Sequence, residues 1–239
     1  MNDNIPLSNN KKTRLLIVDD DPHLSESLEI GLLTFYKNYD VKCVHFKGDL
    51  QKLMNLIYPG EYDVLILDIT MPKINGLEIT KKLRSEGLYI PVILMTGFSF
   101  PIRAIESMRS GADDLLIKPF SFEDLNLSIN NVISYINEEK PENISASDDP
   151  KIVKEYYETG ELMAEFGYRN GKLDGVSKVY RKWGTTLAEI YYRDGMIDDS
   201  VNWFNADGKV RITDEYNDSE RTRRRIYDDK GKVKQDIKR

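Results

Sequence analysis

Four apolar segments of the sequence each end in a residue suited to phosphoryl chemistry. The segments 15–18, 65–67, 92–95 and 115–117 are followed by Asp19-Asp20, Asp68, Thr96 and Lys118. A carboxylate can act as a nucleophile and form an acyl phosphate. A hydroxyl group and an ammonium group can both donate hydrogen bonds to phosphoryl oxygens. This ordered set predicts a phosphorylation switch centred on Asp68, which precedes a Met-Pro turn and Gly76.

The elements that must position these residues follow an alternating pattern. Strand-like runs occur at 13–18, 41–46, 63–67, 91–95 and 114–117, and the stretches between them have helical periodicity, as in Leu24, Leu28 and Leu32. Such alternation predicts an α/β domain with a doubly wound five-stranded parallel sheet. Because ligands bind beyond the carboxyl ends of parallel strands, the candidate residues should converge there.

The acidic residues at these strand ends also predict a metal site. Carboxylates that gather at one edge of a sheet repel one another, and a hard divalent cation such as Mg2+ prefers oxygen ligands. Each residue alone also has a simpler interpretation: Asp19-Asp20 as a solvated turn, Thr96 as a helix cap and Lys118 as a surface lysine. The coincidence of all four strand ends favours the functional interpretation.

These residues resemble the receiver domain of two-component response regulators, which has a flavodoxin-like fold, over residues 12–138. The resemblance implies that Asp68 is the phosphoacceptor, Thr96 the switch hydroxyl and Lys118 the phosphate-sensing lysine. It implies that Mg2+ is bound by Asp20, Asp68 and the backbone carbonyl of Thr70, with Asp19 helping through water. It further implies a sensor histidine kinase as partner, and no enzymatic activity beyond the domain's own phosphorylation and dephosphorylation.

Two departures from the family pattern have consequences for the switch. Leu115 stands three residues before Lys118, where the family usually has an aromatic ring. Thr70 and Phe98, which flank the acceptor in the family's geometry, offer no carboxylate or amide to orient an attacking water. We therefore expect slow self-dephosphorylation. In the family the Lys-Pro peptide is usually cis, so Lys118-Pro119 is expected to be cis.

The rest of the chain divides into a linker and a repeat. Residues 139–150 are polar, contain two prolines and are expected to form the linker. In residues 151–239, Gly160, Gly184 and Gly208 are spaced 24 residues apart. The pairs Asn170-Gly171 and Asp194-Gly195 predict tight type I′ hairpin turns. We expect an all-β antiparallel meander of repeated hairpins, in which each repeat covers the apolar face of its neighbour.

The repeat pattern resembles the variant MORN repeat, which implies a binding or scaffolding role without catalytic residues. Aromatic residues along the predicted strands could form a contact surface or fill the thin core between hairpins: Tyr157, Trp183, Tyr191 and Trp203. Residues 221–239 contain nine Lys or Arg. This basic stretch could bind nucleic acid, an anionic membrane surface or an acidic partner, or it could protect an exposed edge strand from aggregation.

The bulk properties set the remaining limits. The chain has 239 residues and a formal net charge of −6, which argues against nucleic-acid binding over its whole surface. Its one cysteine, Cys43, excludes an internal disulfide and is expected to be a core residue. The sequence has neither a membrane-spanning run nor a signal-peptide pattern, so a cytoplasmic location is expected. The downstream target, homodimerisation and a DNA-binding or membrane-surface role stay open.

Overall fold

The computed structural model describes residues 12–58, 60–97, 101–137 and 152–238, without the side chains of 101–103, 136 and 137. The predicted linker at 139–150 lies outside the described residues, as do Phe98 and Arg239. Among the helices of the described ranges, none combines the length and apolar character needed to cross a bilayer.

The first half is a five-stranded parallel sheet with helices between its strands. The strands are β1 Thr13–Asp19, β2 Tyr39–His45, β3 Val64–Asp68, β4 Val92–Thr96 and β5 Asp114–Ile117. The helices are α1 Pro22–Phe35, α2 Leu50–Ile57, α3 Gly76–Ser85, α4 Pro101–Arg109 and α5 Phe122–Asn137. The strand order β2-β1-β3-β4-β5 confirms the doubly wound parallel sheet and leaves β5 at one edge.

Capping residues set the helix starts close behind the strands. The Asp21 side chain accepts from the backbone N–H groups of His23 and Leu24 at the start of α1. Asn75 and Glu78 form a reciprocal capping box at α3. Ser121 and Asp124 make the equivalent exchange at α5, with Asp124 in the position where Glu or Gln is commoner. These local signals place the turns that carry the candidate residues.

The second half is an antiparallel sheet of nine strands. They are β6 Ile152–Tyr156, β7 Leu162–Arg169, β8 Lys172–Leu173, β9 Gly175–Tyr180, β10 Thr186–Arg193, β11 Met196–Phe204, β12 Val210–Asn217, β13 Glu220–Tyr227 and β14 Val233–Lys238. Both central residues of the turns at Asn170-Gly171 and Asp194-Gly195 have positive φ, as type I′ turns require. Asp218-Ser219 repeats this geometry with φ of 48° and 65°.

The strands of this second sheet pair side by side, so the expectation that each repeat covers its neighbour's apolar face is wrong. Paired residues instead form one apolar row across the sheet, buried along its length: Ala164, Val179, Ala188, Trp203, Ile212 and Ile226. The residues beside these in the six strands, with one residue from each of β6 and β14, form a polar row on the opposite face: Lys154, Glu165, Lys178, Glu189, Asn202, Thr213, Arg225 and Asp236. Successive residues point to opposite faces, so all repeats share one apolar face.

The apolar face of the second sheet packs against the first half of the chain. Ala104, Ile105 and Met108 of α4 belong to the same buried cluster as the apolar row. Arg181, in the turn after β9, pairs with Asp114 of β5. At the far edge of the sheet, every residue of β14 is exposed. The sheet therefore buries its apolar row partly through contact with the α/β half.

Candidate phosphoryl-acceptor site

The parallel sheet brings the predicted residues to one edge. Asp19 ends β1, Asp68 ends β3 and Thr96 ends β4, while Lys118 directly follows β5. β3 lies between β1 and β4, so Asp68 is central. The backbone N–H of Lys118 donates to the Thr96 carbonyl oxygen at 2.7 Å, which ties the last two positions together. The convergence follows from strand order alone.

Lys118 bridges two buried carboxylates. Its Nζ atom lies 2.9 Å from Oδ1 of Asp68 and 3.1 Å from Oδ2 of Asp19. Asp68 is 5% exposed and Asp19 is 1% exposed. The Lys118-Pro119 peptide is cis. The ammonium group therefore lies where it can contact a group attached to Asp68.

The three acidic side chains form a cluster whose chemistry fits Mg2+. Asp19, Asp20 and Asp68 each offer a carboxylate oxygen within 4.8 Å of the others, and Asp20 is exposed. Backbone N–H groups orient the two buried carboxylates. Thr70 N donates to Asp68 Oδ2 at 3.1 Å, and Asp21 N donates to Asp19 Oδ1 at 2.8 Å. An oxygen-only set with one solvent-facing member is the kind of site that Mg2+ prefers.

Burial and pairing act in opposite directions on the protonation of this site. Desolvation raises the pKa of Asp68, and the hydrogen bond from Lys118 opposes that shift without cancelling it. Burial alone would lower the pKa of Lys118, but its contacts with Asp68 and Asp19 outweigh burial and raise the pKa. The lysine thus stays cationic and favours the ionised, nucleophilic form of Asp68.

Gly76 permits a close approach at the acceptor. A Cβ atom at this position would lie 2.5 Å from the backbone oxygen of Asp68 and 3.2 Å from a methyl carbon of Leu94. Because α3 begins at Gly76, the helix start packs directly against the end of β3. A side chain at position 76 would clash with the end of β3, so the site requires the glycine that follows the Met-Pro turn.

The remaining predicted residues lie at or near this edge. Thr96 is buried, and Thr70 is exposed beside Asp68. Leu115, which replaces the usual aromatic residue, is buried in the cluster shared with the second sheet. Cys43 is half-buried on β2, where burial raises its pKa to about 12. The side chain packs against the buried cluster of the parallel sheet and is not itself a fully buried core residue, and its raised pKa makes the thiol unreactive.

Sequence reasoning missed a set of charged contacts between the two halves. Arg181 and Lys182 pair with Asp114 and Asp113. A signal was present: at the 24-residue spacing, Arg181 aligns with Tyr157 and Asn205, so one turn of the repeat carries a cation that its counterparts lack. Asp114 is likewise an acidic residue at the start of an otherwise apolar strand.

Comparisons with known proteins agree with this geometry. Residues 15–130 match the family described as "Response regulator receiver domain". The chain is 35% identical over 112 residues to the transcriptional regulatory protein TrcR of Mycobacterium tuberculosis, covering 47% of this chain and 42% of TrcR. It is 36% identical over 112 residues to the response regulator MprA of Mycobacterium avium, covering 47% of each. The chain thus matches about half the length of these relatives.

Among solved structures, a Francisella response regulator receiver domain is similar with 27% identity and a TM-score of 0.47, covering 52% of this chain and 99% of that one. The family match, together with the acidic cluster and Lys118, identifies residues 15–130 as a response regulator receiver domain.

Proposed function

We propose that this chain is a two-component response regulator that accepts a phosphoryl group on Asp68 from a sensor histidine kinase. The observation that supports the proposal most strongly is the position of the Lys118 ammonium, within hydrogen-bonding distance of both Asp68 and Asp19. A receiver domain over residues 15–130 agrees with this role. We retain 12–138 as the receiver domain, 139–150 as the linker and 151–239 as an output module of variant MORN-type repeats.

In the proposed reaction, an Asp68 carboxylate oxygen attacks the phosphorus atom of a phosphohistidine. The new P–O bond forms as the P–N bond breaks, and the leaving imidazole takes a proton from solvent. Lys118 then binds one phosphoryl oxygen, and the Thr96 hydroxyl donates to another. Asp19, Asp20, Asp68 and the Thr70 carbonyl would hold Mg2+. When bound, this ion supplies charge neutralisation on the phosphoryl oxygens.

Labelling with a small phosphodonor tests the proposal. Incubation with acetyl phosphate and Mg2+ should add the mass of one phosphoryl group, and a chelator should prevent the addition. Asp68→Asn should remove labelling, whereas Asp40→Asn, an equal change at an exposed position on β2, should leave it intact. Unchanged labelling of the Asp68→Asn variant would refute the assignment.

We further propose a cytoplasmic location, where the kinase domain of the partner acts.

A DNA-binding output is the second candidate, motivated by the basic stretch at 221–239. Much of its charge is already paired, since Arg224 binds Asp214, Arg223 binds Asp236 and Arg225 binds Glu215. The exposure of β14 favours the protective role that charges have at an open sheet edge. Salt-dependent DNA binding by the full chain would support the candidate, and no binding at low salt would remove it. Liposome sedimentation tests the membrane-surface alternative.

A further inference from the structure

The last strand of the second sheet is an edge strand that is open to solvent. β14 pairs with β13 on one side, and no other described strand lies on its opposite side. All six of its residues are exposed, and the side chains of Val233 and Ile237 are 51% and 50% exposed. The backbone N–H and C=O groups along the open side can therefore pair with another strand. At the other edge of the sheet, Glu155 of β6 binds Arg109 of α4, so that edge contacts the receiver.

The side chains of β14 follow a symmetric order around Ile237. The pairing of β14 with β13 is regular over residues 235–238, where Ile237 lies opposite Arg224 and Lys238 lies opposite Arg223. Because successive residues of a strand point to opposite faces, Asp236 and Lys238 share the polar face of the sheet. Ile237 lies between them on the apolar face. An acidic and a basic side chain thus flank one exposed apolar residue.

From this order we infer that β14 pairs with β14 of a second copy of this chain, in antiparallel orientation and with the two-fold axis at Ile237. In this register, Ile237 faces Ile237 of the second copy. Asp236 of each copy faces Lys238 of the other. Apolar pairs and opposite-charge pairs that lie directly across two strands stabilise a sheet. Side chains that lie directly opposite share one face, so the apolar faces of the two sheets become continuous.

The charges of β14 select this register over its neighbours. If one strand slides by two residues, Asp236 lies opposite Asp236, and a slide in the other direction places Lys238 opposite Lys238. Like charges directly opposite each other destabilise a strand pair. A slide by one residue would join the apolar face of one copy to the polar face of the other. The charges that protect this edge from other pairings therefore leave one pairing open.

The symmetry and size of the contact set the expected assembly. Both copies use the same strand, so the contact closes with two copies. A single pair of short strands buries less surface than a standard stable interface, so we expect a weak dimer that depends on concentration. The contact lies on the second sheet and does not require a phosphoryl group on Asp68.

Analytical ultracentrifugation of the full chain measures this association. From about 1 µM to about 1 mM, the monomer should convert to a dimer. Asp236→Lys alone places lysine opposite lysine at both charged pairs, and Lys238→Asp alone places aspartate opposite aspartate. Each variant should raise the concentration of half-dissociation by about tenfold or more. An equimolar mixture of the two variants restores both opposite-charge pairs and should dimerise as the wild type does.

The same charge changes on another edge strand provide the control. Asp40 and Lys42 are exposed and lie two residues apart on β2, an edge strand of the parallel sheet. Asp40→Lys and Lys42→Asp should leave the dimerisation unchanged. Asp236 binds Arg223 of its own sheet, but this pair is partly exposed, so its loss should not unfold the chain. A urea midpoint close to that of the wild type separates weaker association from unfolding.

A cysteine at the two-fold axis tests the register. Directly opposite residues of an antiparallel pair have Cα atoms about 4.5 to 5.5 Å apart, a separation that a disulfide can span. Ile237→Cys should therefore form a cross-linked dimer in oxidised glutathione. Val233→Cys is the matched control, because Val233 is as exposed as Ile237 but does not face itself in this register. The native Cys43 contributes little, because its raised pKa keeps the thiol protonated.

Three results would overturn the inference. The first is a chain that stays monomeric up to about 1 mM. The second is a dimer that neither Asp236→Lys nor Lys238→Asp weakens, because such a dimer uses a different surface. The third is equally fast cross-linking of Ile237→Cys and Val233→Cys. None of these measurements depends on phosphoryl labelling of Asp68, so the dimer and the proposed function are tested separately.

Discussion

Arg181 donates from Nε to Asp114 Oδ1 across the boundary between the two sheets, and neither side chain has measurable solvent exposure. The two residues are 67 positions apart in the chain. The pair joins β5, the edge strand of the receiver next to α4 and α5, to the turn between β9 and β10 of the second sheet. Because the pair is buried, removing either partner would leave the other charge uncompensated in the interior.

Removing one member of this pair should destabilise the whole chain. Arg181→Met leaves Asp114 buried without its cation, and we expect a loss of about 3–5 kcal/mol in the free energy of unfolding. Urea denaturation measures the loss. Lys178→Met, the matched change on the solvent-facing polar row, should cost far less because the pair with Glu189 is partly exposed. The double variant Arg181→Met, Asp114→Asn should recover part of the loss. Equal losses for Arg181→Met and Lys178→Met would contradict this account.

The close approach at Gly76 should not tolerate a methyl group. Gly76→Ala places a Cβ atom 2.5 Å from the Asp68 carbonyl oxygen, so β3 and α3 must separate. We expect a loss of about 1–3 kcal/mol in unfolding free energy together with slower phosphoryl labelling. Gly97→Ala is the control for stability, since a Cβ atom at this position meets none of the described residues within 4 Å. Similar urea midpoints for both variants would rule out the steric explanation.

The thiol of Cys43 should be protected from alkylation. Burial is the main reason that its pKa rises to about 12, and its Sγ donates to the Ser25 carbonyl oxygen at 3.2 Å. The raised pKa keeps the thiol protonated well above neutral pH, and the thiolate is the reactive form. We expect iodoacetamide to modify the native chain at least about tenfold more slowly than the urea-unfolded chain at pH 8. Equal rates, measured by mass spectrometry, would contradict the described packing.

The phosphoryl group on Asp68 should persist, because neither Thr70 nor Phe98 supplies a carboxylate or amide to orient an attacking water. Thr70 N binds the Asp68 carboxylate, which keeps this exposed residue beside the acceptor. Thr70→Gln introduces an amide and should shorten the lifetime of the phosphorylated chain several-fold. Thr70→Val, which keeps the shape and lacks the amide, should leave it nearly unchanged. Loss of radiolabel after removal of the phosphodonor measures both, and a wild-type lifetime of seconds would refute the expectation.

The receiver and its candidate site were predictable because both depend on local patterns. The alternation of apolar runs with helical stretches shows where each strand ends. Asp19, Asp68 and Lys118 are the residues at or directly after those ends. The hairpin turns were predictable for a similar reason, since Asn170-Gly171 readily adopts positive φ. In each case a few adjacent residues contain the whole signal.

The docking of the two halves was not predictable in this way. Periodicity shows which face of a strand is apolar, but it does not show which surface covers that face. Trp203 is buried whether it packs against another hairpin or against β5, so the pattern around it is the same in both cases. Arg181 departs from its counterparts at the 24-residue spacing, but that departure does not identify Asp114, a partner that is distant in sequence. Long-range pairing of single residues leaves no periodic trace.

The polar row that crosses the second sheet has a consequence for how such chains can change in length. Lys154, Lys178 and Asn202 occupy equivalent places at the 24-residue period, as do Glu165, Glu189 and Thr213. Duplicating or deleting one full period in frame would keep every inward-facing side chain inward, because the even spacing preserves the alternation of faces. The module can therefore gain or lose a period at its exposed β14 edge while Arg181 keeps its ion pair with Asp114.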